Sequence, residues 1–87
     1  MRTYKTEFPD YDGDFELLPG FVDDSWHNDA CPCMLKGDIL ISVDYVDEKL
    51  REFPDVKRFM VLTLGRDETL LETDDWSEVV QFIKGRA

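Results

Sequence analysis

The chain has 87 residues, 43% of them hydrophobic and eleven of them aromatic, which is enough apolar side chain for one folded domain and excludes a disordered acidic tail. Twenty Asp and Glu face ten Lys and Arg, so the formal net charge is −10; such a chain repels nucleic acid and anionic membranes and is attracted to basic surfaces. No apolar run approaches the roughly 20 residues that span a bilayer, and MRTYKTEFPD has no apolar signal core, so the expectation is a cytoplasmic protein without membrane association.

From the N-terminus, Arg2 to Phe8 alternates Tyr4, Thr6 and Phe8 on one face and predicts a first strand ended by Pro9. Asp10 to Pro19 reads as loop or irregular strand, with residues 1–20 as a loose or edge segment of the single domain 1–87. Pro19-Gly20 is a turn signal. Asp24 or Ser25 is placed to cap a short helical turn that Pro32 limits.

The middle has a clearer period. Cys33–Leu35 predicts a strand turned at Lys36-Gly37 into Ile39–Tyr45, where Ile39, Ile41, Val43 and Tyr45 share a face. Asp47 predicts an N-cap for a helical turn over Glu48 to Phe53, stopped by Pro54. KRFMVLTL is the next strand, with Phe59, Val61 and Thr63 on one face and Met60, Leu62 and Leu64 on the other. GRDE turns the chain, and TLLET returns as its antiparallel partner. Asp75 and Glu78 make a capping-box pattern ahead of a helix. Its stripe of Trp76, Val79, Val80 and Ile83 reads as core, and Gly85 is its expected stop. The expected fold is α+β: an antiparallel sheet of about three to five strands with a C-terminal helix packed on one face.

Charge is unevenly distributed. Residues 1–35 hold eight acids and two bases, residues 36–66 hold six of each, and residues 67–87 hold six acids and two bases. Between Lys5 and Lys36 there is no base. Within that span Asp10, Asp12, Asp14 and Glu16 occupy alternate positions. In an extended chain they form a row of charges about 6.7 Å apart, while Tyr11 and Phe15 face the other way as anchors. A row of regular negative charge imitates the phosphates of a nucleic-acid strand. Asp67, Glu68, Glu72, Asp74, Asp75 and Glu78 form a second acidic block. The idea requires the two blocks to share one surface. A calcium loop starting at Asp10 needs Gly at its sixth position and Glu at its twelfth; Phe15 and Phe21 stand there, so the pattern fails.

His27, Cys31 and Cys33 are the other cluster with chemical capacity, as an alternative metal or thiol site. Zinc sites use four ligands, and these three need Asp24, Asp29 or a second chain to complete one. As a nucleophile pair they are badly placed, because nearby Asp23, Asp24 and Asp29 raise a thiol pKa. A disulfide across a single residue is strained. Phosphate loops, G-x-S-x-G and H-E-x-x-H are absent from the sequence. The reading is therefore a binding protein without a cofactor rather than an enzyme. Its expected partner is a basic protein or nucleoprotein complex that handles DNA or RNA, as for small acidic inhibitors of the anti-CRISPR, anti-restriction or nuclease-immunity type. The expected contacts are Asp10, Tyr11, Asp12, Asp14, Glu16, Asp23 and Asp24, with Asp74 and Asp75 as a second patch.

Overall fold

The computed structural model describes residues 3–53 and 55–86. After a short helix α1 (Tyr4–Glu7), the strands β1 (Val22–Asp23), β2 (Cys33–Lys36), β3 (Ile39–Val43), β4 (Phe59–Thr63) and β5 (Thr69–Thr73) lead to a C-terminal helix α2 (Trp76–Arg86). Among the described residues the strands make one antiparallel sheet in the order β1-β2-β3-β4-β5, so every ladder joins neighbours in the sequence. The expected α+β architecture is the one adopted.

Alternation decides which side chains are covered. Met34, Ile41, Val61 and Leu71 lie opposite one another across four strands. The first three are completely buried, each contributing about 1.5–3 kcal/mol of apolar burial. Helix α2 lays Val79, also completely buried, into this row, with Trp76, Phe82 and Ile83 packed beside it. Leu70 is an extra residue in β5, because Leu62 pairs with Thr69 while Val61 pairs with Leu71. The bulge resets the alternation, and the adjacent Leu70 and Leu71 both pack against the core. On the other face Cys33, Leu40 and Leu62 are buried. Residues 24–32 fold back over that face. Asp24 N–H donates to the Cys33 carbonyl (3.0 Å), Val43 N–H to the Pro32 carbonyl (2.9 Å), and Asp29 pairs with Arg66 (3.3 Å).

The N-terminal segment departs from the expected strand. Thr3 caps α1 by accepting from Thr6 N–H, and the Thr6 hydroxyl accepts from Thr3 N–H (2.9 Å), so local side-chain bonds favour a helical turn. Arg2, the expected strand start, lies outside the described residues. The segment is held down rather than loose: Tyr4 N–H donates to Asp23 (2.8 Å), Tyr4 stacks on Phe15 (4.6 Å), and Phe8 is buried.

Other boundaries move by a residue or two. The β2–β3 hairpin turns at Gly37-Asp38 rather than Lys36-Gly37, because Lys36 pairs with Ile39. Strand β3 ends at Val43, since Asp44 N–H donates to the Arg58 carbonyl beyond the regular ladder (2.8 Å). Asp24 continues the β1–β2 pairing instead of capping a helix, and the chain reverses at Trp26–Asp29. Asp47 does cap a helical turn, but it is one 3-10 turn over Glu48–Leu50; Pro54, its expected stop, lies outside the described residues. The Asp75 carboxylate caps α2 through Ser77 N–H (2.9 Å). Its own N–H goes to the Thr73 hydroxyl (3.0 Å), which takes the place the capping box gives Glu78. The helix continues through Gly85 to Arg86. Pro19 and Gly20 form the centre of a type II turn closed by Phe21 N–H on the Leu18 carbonyl (3.0 Å), with Gly20 at φ 83° as that turn requires.

Candidate acidic binding surface

The run from Asp10 to Glu16 is not a strand. It crosses the end of the sheet where β3 exits and β4 enters, and it is anchored there by polar bonds of its own acids. The Asp12 carboxylate accepts from Val46 N–H and Asp47 N–H, both at 2.8 Å. Asp10 accepts from the Tyr45 hydroxyl (2.8 Å). Two of the four acids are thus bonded to residues 45–47 while remaining at the surface. Burial pushes the Asp12 carboxyl up, but the two backbone N–H groups outweigh it and hold it below its ordinary value. Asp14 and Glu16 remain exposed.

Tyr11 and Phe15 face the core, as the alternation predicts. The Tyr11 hydroxyl sits between the carbonyls of Asp14 (3.2 Å) and Asp44 (3.3 Å) and accepts from the Arg58 guanidinium (3.1 Å). Tyr11 is therefore an internal brace for the segment. Gly13 suits the same packing: a Cβ there would press on the Arg58 guanidinium and on Val46, so a larger residue would have to displace them. The D-x-D-G-D pattern owes its glycine to this close approach.

Arg58 is the residue the sequence did not single out. Its Nε donates to the Asp44 carbonyl (3.2 Å), its backbone N–H to Asp74 (2.9 Å), and its guanidinium stacks over Phe59 (4.7 Å). Asp74 also pairs with Lys57 (3.4 Å), and the Arg58 N–H holds its carboxyl below the ordinary value. Asp14, Glu16, Arg58, Phe59 and Trp76 line one cleft of about 150 Å³. Trp76 is both core, 5.1 Å from the Phe59 ring, and wall of this cleft. Asp75 directly precedes it and is exposed. The two acidic blocks therefore meet at Arg58, through Asp14 and Glu16 on one side and Asp74 and Asp75 on the other. Asp67 and Glu68 belong to the β4–β5 turn at the far end of the sheet.

Asp23 and Asp24 lie by β1, at the opposite sheet edge from β5. Asp23 accepts from Tyr4 N–H (2.8 Å) and Ser25 N–H (3.1 Å), which commits its carboxylate to the fold.

His27, Cys31 and Cys33 are not brought together as ligands. His27 is exposed and its Nδ1 lies 2.9 Å from Glu7. Both thiols are free and buried. Burial pushes both thiols up, Cys33 to about 12 with Asp29 and Asp24 adding to it, and Cys31 further, with Asp44 adding to it. Among the described residues no three His, Cys, Asp or Glu side chains are grouped to hold a metal ion. Among the described residues no helix is long and apolar enough to cross a membrane. No family model, no curated protein and no solved structure matches this chain.

Asp44 is a buried carboxylate beside this surface, and it lines a cleft with Cys31, Met60 and Leu62. Burial raises its pKa, partly offset by Tyr45 N–H (2.8 Å) and by Arg51 and Arg58. A raised carboxyl favours the folded state less as pH climbs through its range. Asp44→Asn keeps the acceptor and removes the charge. Relief of about 1 kcal/mol corresponds to a melting temperature about 4–8 °C higher at pH 7. Thermal melts at several pH values should show that gain shrinking as the pH falls into the range where the raised Asp44 carboxyl takes up its own proton.

Proposed function

We propose that the protein is a small acidic inhibitor that acts by binding, without catalysis. It docks the end of the sheet that carries Asp14, Glu16, Asp74 and Asp75 onto a basic surface of a protein or nucleoprotein complex that handles DNA or RNA. The observation that carries this reading is the convergence of two acidic blocks, 58 residues apart between Glu16 and Asp74, around the half-buried Arg58. Among the described residues Asp14, Glu16 and Asp75 have no ion pair, and Asp74 has only the exposed Lys57. Lys and Arg side chains evolved to hold phosphates would find carboxylates in their place, and long-range attraction would speed the encounter. The imitation lies in surface charge rather than in a ruler-like row, since Asp10 and Asp12 are spent on the fold. The rim of Trp76 in the cleft supplies an aromatic contact of the kind that dominates interface energies.

The test uses a variant that removes charge but keeps one acceptor oxygen on each side chain: Asp14→Asn, Glu16→Gln, Asp74→Asn and Asp75→Asn together. Immobilised wild-type protein is expected to retain one dominant nucleic-acid enzyme from a lysate of its own cells at low salt, and added DNA or RNA should displace it. The variant should retain it at least about tenfold less well with an unchanged melting temperature. Equal retention by the variant, or retention indifferent to salt and nucleic acid, would remove the reading.

A further inference from the structure

At the other end of the sheet, helix α2 and the Pro19-Gly20 turn leave an open apolar groove. Leu18, Phe21, Ile39, Val80 and Ile83 line it, in two connected hollows of about 300 Å³ and 190 Å³ that share Lys36 and Ile83. Lys36, Lys84 and Arg86 rim it, and Asp38 is the acid among its lining residues. These are three of the ten bases in a strongly acidic chain. Among the described residues none of the three is in an ion pair.

The connection from β3 to β4, at the opposite end, is built inside out. Arg51 points inward and donates to the carbonyls of Tyr45 (2.7 Å), Val56 (3.0 Å) and Val46 (3.3 Å). Asp12 clamps the N–H groups of Val46 and Asp47, and Asp47 caps the 3-10 turn. The apolar residues are left largely uncovered: Val46 is 52%, Leu50 45% and Phe53 61% exposed, Phe53 at the mouth of the cleft it shares with Met60 and Leu62. Single exposed apolar residues are ordinary, but three on one braced protrusion mark a contact surface. They alternate with Asp47, Glu48 and Glu52, against one outward base, Lys49.

We propose that the protrusion of one copy seats in the groove of a second copy. Phe53 and Leu50 cover the apolar floor, and Asp47, Glu48 and Glu52 meet Lys36, Lys84 and Arg86. Both features are complementary in polarity and in charge. They lie at opposite ends of β3, so one chain cannot close the contact on itself. The contact is therefore head-to-tail, and each added copy leaves one protrusion and one groove free. The net charge of −10 opposes the approach of two copies. At 0.15 M salt that repulsion is screened beyond about 8 Å, while the opposite charges in the contact lie closer than that.

Sedimentation velocity and light scattering test this at 0.15 M salt, up to about 1 mM chain, where weak specific contacts become populated. The wild-type mass should rise with concentration above the 10.2 kDa of one chain. Phe53→Ser alone, and Lys36→Glu with Lys84→Glu, should each remain monomeric; all three side chains are exposed, and unchanged thermal melts would confirm intact folds. Mixed in equal amounts, the two variants should form a dimer and grow no further, because each retains the surface the other has lost. A wild-type protein that stays monomeric, a single variant that still assembles, or a mixture that does not pair would each overturn the proposal.

Discussion

Ile41→Ala should cost about 2–5 kcal/mol of folding stability, read as a lower urea midpoint at unchanged slope. Ile41 is completely buried and lies in the centre strand between Met34 and Val61, all three under Val79 of the helix. Strands on both sides fix the backbone, so the space left by the side chain cannot close by local collapse. Total stability for a domain of this size is of order 4–13 kcal/mol, so this one change removes a large share of it. The melting temperature should fall by about 4–8 °C for each kcal/mol lost. Leu64→Ala, at a position half exposed beyond the end of β4, should stay within about 0.5 kcal/mol of wild type and serves as the control.

Arg58→Ala should cost about 2–4 kcal/mol and loosen the acidic segment selectively. The side chain holds the Asp44 carbonyl, the Tyr11 hydroxyl and the face of Phe59 at once. Without it the Tyr11 hydroxyl and a part-buried carbonyl lose a charged donor. Asp12 and Asp44 also lose a nearby cation, while Asp74 keeps its bond to the backbone N–H of residue 58. Hydrogen exchange should accelerate over residues 10–18 while β3 and β4 stay protected. Uniform acceleration across the sheet would mean that Arg58 supports the core rather than the segment. Arg58→Lys should recover little, because one ammonium cannot stack on Phe59 and reach both oxygens.

Strands β3 and β4 were legible from their period-two spacing, although both of their faces are covered, and TLLET matches β5 residue for residue. Helix α2 was legible from Asp75 and the stripe of Trp76, Val79, Val80 and Ile83, of which Val80 lies at the groove beside Leu18 while Phe82 packs on the core in its stead. The bulge at Leu70 was not, since nothing in two adjacent leucines says that both turn inward. Strand β1 has only two residues, too short to show a period. The N-terminus is a helical turn rather than a strand because the local Thr3–Thr6 capping pair outweighs the alternation of Tyr4, Thr6 and Phe8. At the candidate site the acids were visible as charge, but their division was not. Asp12 and Asp14 look alike in the sequence; one meets two backbone N–H groups and the other meets solvent. Arg58 was invisible because its partners are 14 to 47 residues away.

The two thiols flanking Pro32 give the molecule a built-in gauge of its own opening. Both are buried and burial favours their protonated form, so an alkylating reagent meets little thiolate; Cys33 is covered completely, and Cys31 shows only an edge to the cleft beside Asp44. They sit where the 24–32 segment meets β2, joined to the sheet by Pro32 and Ser25. Reagent uptake then measures how often that segment lifts, and its ratio to global unfolding reports whether the second face of the sheet opens alone. If labelling of Cys31 and Cys33 follows the urea dependence of the whole domain, the sheet and its cover are one cooperative unit. If it is faster and nearly independent of urea, the cover breathes while the helix side stays closed.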